Sequence, residues 1–209
     1  MNIAAYAAEN SKQDSALEDD FTADRYLQFH RFLPLDARRI LDVGCATGRG
    51  GVKLKELRPA CELVGLDCVE ERLALLPACY TGRIVGLSNA IPTEDRSLDA
   101  IVAGEFLEHL YPAHVDPTLC EFQRVLKIGG RLLMTTPNPD YLKNRLRDLS
   151  VYSVSHLTQH PAAILKHRLR SHGFSRVKIY GSGKVSRYLG DRFPWLSVYG
   201  SYLIIADKI

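Results

Sequence analysis

The chain has 209 residues, 46% of them apolar and 24% charged, with a formal net charge of +3. That length fills one hydrophobic core and that composition is globular, which excludes collagen-like, low-complexity and disordered classes. No apolar run reaches the roughly 18 residues that cross a membrane, and the first twenty residues lack the basic-then-apolar order of a secretory signal.

Residues 1–22 are polar, acidic and Ala-rich, and read as an arm or lid that orders over a ligand. Tyr26, Leu27, Phe29, His30 and Leu33 give a helical apolar face that ends near Pro34. Ile40–Val43 reads as a short buried strand that breaks through Gly44, Gly48, Gly50 and Gly51 into a helix stopped by Pro59. A second strand, 62–67, ends in Asp67, and a short helix, 70–76, precedes Pro77. Third and fourth strands follow at 83–86 and 98–103, then a helix at 116–126 and a fifth strand at 131–136 stopped by Pro137. A basic loop leads to a helix at 161–172 capped by Gly173, and to strands at 176–180 and 201–207.

This alternation predicts an α/β, doubly wound, seven-stranded and mostly parallel sheet with one antiparallel edge strand and helices on both faces. Residues 1–209 are expected to form a single domain: an N-terminal arm and helix (1–35), a ligand-binding core (38–136) and an acceptor-side loop, helix and hairpin (137–209). Five cysteines, at 45, 61, 68, 79 and 120, form no CxxC pair, which argues against a zinc site and for reduced thiols in the cytoplasm. Residues 1–24 carry six acids and one lysine, whereas residues 141–192 carry eleven Lys or Arg against Asp148 and Asp191. The basic stretch reads either as a solvated face or as a rim suited to a phosphorylated, nucleic-acid or lipid-phosphate partner.

In such sheets ligands bind beyond the carboxyl ends of the strands, at the point where strand order reverses. A strand that turns through glycines into a helix points free N–H groups at that crevice. The spacing Asp42-x-Gly44-x-x-x-Gly48 differs from GxGxxG, and no phosphate-binding lysine follows, so pyrophosphate is disfavoured. Asp67 is placed to accept two hydrogen bonds from a ribose diol, or else to cap a helix. Asp42 is placed to orient the loop or, through water, a ligand ammonium group.

Four stretches, ILDVGCATGRGG, LVGLDCVEERL, GLSNAIPTEDRSLDAIVAGEFLEHL and FQRVLKIGGRLLMTTPNP, resemble the successive motifs of class I S-adenosylmethionine (SAM)-dependent methyltransferases in order and spacing, over residues 38–140. The resemblance implies that Gly44, Cys45, Ala46, Thr47 and Gly48 embrace the methionine part of SAM, with Asp42 behind them. Asp67 then holds the ribose, Cys68 or Val69 flanks the adenine, and Asn89 and Ala90 meet its edge. Glu105 joins the cofactor set. Asn89 stands where the family often has Asp, and Ala46 where a glycine is common.

Glu105, Glu108 and His109 form an ExxEH pattern whose helical spacing places them on one face. With His156 they resemble the metal-binding sets of the ubiquinone-biosynthesis O-methyltransferases and the small-RNA terminal 2′-O-methyltransferases. Three readings stand: Glu105, Glu108, His109 and His156 hold Mg²⁺; Glu108, His109 and His156 act without metal as base or orienter; or the segment only packs. His160, His167 and His172 read as surface residues, and His30 and His114 carry no partner signal.

The acceptor side, with its tyrosines, Trp195 and cations, suits a sugar, a phosphorylated acceptor or a nucleotide. TTPNP and the basic C-terminal part resemble bacterial methyltransferases of surface-saccharide and secondary-metabolite pathways. The expected activity is methyl transfer from SAM to a hydroxyl of a small polar acceptor, a sugar or saccharide-linked intermediate being favoured. An RNA 2′-O-methyltransferase, a quinone, phenol or secondary-metabolite O- or N-methyltransferase, and a non-catalytic SAM-binding protein are the alternatives.

Overall fold

The central strand, β1 (Arg39–Val43), is buried from Ile40 onward, so its residues must be apolar or paired on both faces. It lies between β2 (Glu62–Asp67) and β4 (Leu98–Ala103), parallel to both. In the computed structural model, which describes residues 6–8, 20–153 and 155–209, seven strands form one sheet in the order β3-β2-β1-β4-β5-β7-β6. The remaining strands are β3 (Gly82–Val85), β5 (Leu126–Pro137), β6 (Phe174–Ser182) and β7 (Ser201–Lys208). Strand β7 runs antiparallel to both neighbours and fills the gap between β5 and the edge strand β6.

Alternate side chains of β1 and β4 divide between two cores. Ile40, Ala100 and Val102 face one layer, with Phe29 of α1 (Thr22–Phe32), Leu54 of α2 (Arg49–Leu57) and Leu73 of α3 (Glu70–Ala74). Leu41, Val43 and Ile101 face the other, with Phe122 of α4 (Pro112–Val125) and Leu165 and Leu169 of α6 (Ala162–Ser171). Two short helices, α5 (Leu142–Leu146) and α7 (Ser186–Leu189), lie in the loops that follow β5 and β6. The expected doubly wound class is thus observed.

Boundaries moved where tertiary pairing overrides local signals. Strand β5 begins before Gly129-Gly130, because Leu126 pairs with Leu98 across a register shift. Helix α4 starts at Pro112, whose missing N–H costs nothing at the first helical position. The arm expected over 1–22 falls mostly outside the described residues. Within it, Tyr6 is buried, its ring stacked on His114 at a centroid distance of 5.5 Å. No helix among the described residues is long and apolar enough to cross a membrane.

Asp42 is among the fully buried polar residues of the core. The Asp42 carboxylate accepts hydrogen bonds from Tyr26 Oη (2.6 Å) on α1 and Tyr80 Oη (2.5 Å) before β3. The rings reach it because Gly50 and Gly51 lack side chains: a Cβ there would lie 2.0 Å from Tyr26 and 2.0 Å from the Tyr80 hydroxyl, respectively. Burial pushes the Asp42 carboxyl up from 3.8 to about 6, while the two phenol hydrogen bonds hold it down.

The folded state therefore keeps the Asp42 proton between about pH 4 and 6, where the unfolded chain has lost it. Stability falls as pH rises through that window and levels off above it. Tyr80→Phe removes one donor and is expected to lower unfolding free energy by about 2 kcal/mol at pH 8 in urea titrations. It also raises the carboxyl further, so the falling limb extends to higher pH. A variant with parental stability and pH profile would show that the carboxylate does not depend on this phenol.

Candidate active site

The strand order reverses between β1 and β4, and the loops leaving their carboxyl ends bound a cavity of about 410 Å³. The loop after β1 is shaped by three left-handed residues, Gly44 (φ 66°), Ala46 (φ 48°) and Gly48 (φ 78°). Gly44 and Cys45 donate their N–H groups to Leu66 O, which ties the loop to β2. A Cβ on Gly44 would lie 2.5 Å from the Phe106 ring, so only glycine fits. Ala46 accepts the same backbone region at a cost of about 1 kcal/mol.

Asp67 is clamped from both sides. Ala46 N–H donates to its Oδ2 and Val69 N–H to its Oδ1, each at 2.9 Å. Each oxygen keeps a second acceptor position, and the residue lines the cavity, so the carboxylate is set to receive two hydroxyls. Gly44, Ala46, Cys68, Asn89, Glu105, His109 and His156 line the same cavity.

The other expected residues sit around it. Asp42 is taken by its two tyrosines. The Cys45 thiol packs toward Gly65 of β2, and Gly48 turns toward Leu76, Pro77 and Tyr80. Val69 spends its N–H on Asp67, and Ala90 donates to Leu87 O. Thr47 is not among the lining residues.

Beyond β4 the chain makes a 3₁₀ turn, Leu107–His109, and not the helix that ExxEH spacing suggested. Glu105 stands outside it at φ 49°, its N–H given to Thr135 Oγ1. Its carboxylate turns to Ser201 Oγ (3.2 Å) and to Arg25 Nε (3.7 Å), and so leaves the face expected to carry Glu105, Glu108 and His109 together.

The second histidine arrives on residues 155–158, which are laid along this turn. Leu157 and Thr158 donate their N–H groups to Glu108 O, and Thr158 Oγ1 donates to Leu107 O. Glu108, His109 and His156 thereby bring one ligand-type atom each within 4.8 Å of one another.

Each imidazole is oriented by a carbonyl. His109 Nδ1 lies 2.8 Å from Ser155 O, and His156 Nδ1 lies 2.9 Å from Val151 O. A carbonyl accepts only, so Nδ1 carries a proton, and in the neutral ring Nε2 is the nitrogen left with its lone pair. Burial lowers His109 to about 4, which keeps it neutral. Glu108 Oε2 accepts from Thr136 Oγ1 at 3.0 Å, while Oε1 is buried and has no hydrogen-bond partner among the described residues. Burial first, then the charge of Glu105, raises the Glu108 carboxyl well above its ordinary range.

Arg25, Arg72, His114 and Ser155 line the cavity without a sequence signal, whereas Tyr6 and Thr22, also lining it, belong to the stretch expected as an arm or lid. His160, expected at the surface, is buried with Nε2 2.9 Å from Thr158 Oγ1, and burial lowers it to about 4.

Residues 41–134 match the family model described as a methyltransferase domain. They run from β1 to β5 and enclose the glycine loop, Asp67, Asn89 and the Glu108–His109 turn. Solved structures align over nearly the whole chain. A SAM-dependent methyltransferase from Archaeoglobus fulgidus gives a TM-score of 0.71 at 21% identity, over 90% of this chain and 93% of that one.

The fold is that of the SAM-dependent methyltransferases.

A phosphoethanolamine N-methyltransferase from Haemonchus contortus, solved with SAM, shares this methyltransferase fold at a TM-score of 0.65 and 15% identity, over 88% of this chain and 52% of that one. Among curated methyltransferases, malonyl-[acyl-carrier protein] O-methyltransferase 1 of Coxiella burnetii is 35% identical over 140 residues, 67% of this chain and 48% of that protein. The mitochondrial ubiquinone biosynthesis O-methyltransferase of Mus musculus is 31% identical over 128 residues, 56% of this chain and 33% of that protein. The chain spans about half the length, or less, of these curated relatives.

Glu108→Gln keeps an acceptor for Thr136 and removes a buried carboxyl. Because the Glu108 carboxyl is raised in the folded state, ionising it costs stability as pH climbs above its unfolded value. In chelator-treated protein the variant is expected to be more stable than the parent, by about 1–3 kcal/mol at pH 8 and by less at pH 5, in urea unfolding. An equal gap at both pH values would show that burying the charge is not the cost.

Proposed function

We propose that the chain is a SAM-dependent methyltransferase that methylates a hydroxyl of a small polar acceptor, a sugar or saccharide-linked hydroxyl being favoured and a phosphorylated acceptor included. The observation that carries this reading is one cavity lined by the Asp67 carboxylate and by the imidazoles of His109 and His156. SAM would lay its ribose diol on Asp67, its methionine part along Gly44–Gly48 and its adenine by Cys68 and Asn89.

Methyl transfer is a displacement. The acceptor oxygen bonds to the methyl carbon, the C–S bond breaks, and its electron pair stays on sulfur. An alcohol must also lose a proton, and a neutral His Nε2 with its other nitrogen locked to a carbonyl is suited to take it. A carboxylate acceptor needs no such base, so the paired imidazoles favour a hydroxyl. Both curated relatives described above are named O-methyltransferases, which supports an oxygen acceptor.

The cluster also fits a divalent cation. Glu108 Oε1, buried without a partner, and two imidazole lone pairs make a nitrogen–oxygen donor set. That set suits an ion such as Zn²⁺, Mn²⁺ or Fe²⁺ better than Mg²⁺, which prefers oxygen ligands. Glu105 would not contribute. A bound ion would supply Lewis acidity at the acceptor oxygen.

Calorimetry should show that Asp67→Ala weakens SAM and S-adenosylhomocysteine binding at least tenfold (about 1.4 kcal/mol). Unchanged affinity would remove Asp67 from the ribose role. His109→Ala should lower turnover roughly 100-fold with little change in S-adenosylhomocysteine affinity. Full turnover in metal-stripped protein would eliminate the cation. Radiolabelled SAM offered to cell extracts split into lipid, nucleotide-sugar, RNA and small-molecule pools tests the acceptor, and label in RNA alone would refute the saccharide reading.

A further inference from the structure

After β5 the chain projects a small basic unit that the methyl-transfer reading leaves unused. Helix α5 and the turn behind it close on themselves: Asn144 O accepts from Leu149 N at 2.9 Å, and Arg145 O from Asp148 N. The unit exposes three leucines, Leu142, Leu146 and Leu149, at 47%, 78% and 55%. Between them stand Lys143, Arg145 and Arg147, all exposed. Among the described residues none of these cations has a carboxylate within ion-pair distance.

A second element joins the same face. The 3₁₀ turn Leu196–Val198 packs against α5, and Val198 lines a shallow groove with Leu142 and Leu146. Asn138 Nδ2 ties the two loops by donating to Leu196 O and Tyr199 O. Trp195, which opens that turn, is 68% exposed.

We propose that this face docks onto an anionic lipid surface. Leucines interleaved with cations, flanked by an indole, are the pattern of an interfacial anchor: the leucines enter the acyl boundary, the long basic side chains reach back to lipid phosphates, and the indole sits at headgroup level. The interleaving argues against a protein partner, because the core of such an interface is depleted of charge. Exposed leucines argue against RNA, which would hold the cations and leave the apolar side chains in water.

The face is also close to the chemistry. Val151, two residues past Leu149, supplies the carbonyl that orients His156. Docking would therefore hold the segment that orients His156 near the interface. The docking itself does not depend on the proposed reaction.

The full chain contains a single tryptophan, so Trp195 reports on the face directly. Titration with vesicles of phosphatidylcholine and phosphatidylglycerol should shift its emission to the blue and carry the protein into the vesicle pellet. Pure phosphatidylcholine should bind much less. Each of Arg145→Gln and Arg147→Gln should lower partitioning about fivefold, and Leu146→Ser roughly tenfold, with circular dichroism and S-adenosylhomocysteine affinity unchanged. No pelleting with anionic vesicles at low salt would overturn the proposal. So would undiminished binding in Leu146→Ser, or RNA binding that the arginine variants abolish and the leucine variant leaves intact alongside weak vesicle binding.

Discussion

The Asp42 carboxylate lies in the middle of the sheet and accepts one hydrogen bond from α1 and another from the turn before β3. A buried charge is tolerable only when its oxygens are satisfied, so this residue dictates where two distant tyrosines must stand. Those tyrosines in turn forbid a side chain at Gly50 and Gly51. Tyr80 also walls off Gly48, whose hypothetical Cβ would meet it at 2.8 Å. The loop that borders the cavity is thus braced from behind, by groups that the cavity never touches.

A second brace works from the acceptor side. The 3₁₀ turn Leu107–His109 offers the Leu107 and Glu108 carbonyls to Leu157 and Thr158, and Ser155 returns its own carbonyl to His109. The exchange fixes both imidazoles in the same tautomer without any carboxylate partner. It also leaves Glu108 buried beside them, with Thr136 donating to its carboxyl. Arrangements of this kind give up stability to keep a reactive group poised, and they are common at functional sites.

The architecture was largely legible because its signals are local. Apolar runs such as Ile40–Val43 and Leu98–Ala103 announce strands covered on both faces, and glycines after the first of them announce the turn. Asp67 could be placed at the crevice by its position at a strand end. Contacts across long stretches of chain were not legible. Nothing near Tyr80 in sequence points to Asp42, 38 residues away. Glu105 fits helical spacing with Glu108, yet the Thr135 hydroxyl, 30 residues on, captures its N–H and bends the backbone out of that register. His160 looked exposed because its neighbours are polar, whereas the pairing of 157–158 with Glu108 pulls it inward. Gly50 and Gly51 were visible as glycines, but their reason is two aromatic rings and not a ligand.

Strand β7 follows β6 in the chain but lies inside it in the sheet, hydrogen-bonded to β5 through seven register pairs from Arg131↔Asp207 to Pro137↔Ser201. During synthesis β5 therefore emerges roughly seventy residues before the strand that completes it. Over that interval its apolar side, Leu132 to Met134, ends at an open row of peptide groups, a template on which another chain can add. Parallel pairing of β1, β2 and β4 can form early, but the far third of the sheet must wait for the last strand to slot in. The nascent chain is thus most exposed to misassembly just before β7 arrives, and a delay at that point prolongs the life of the open β5 edge.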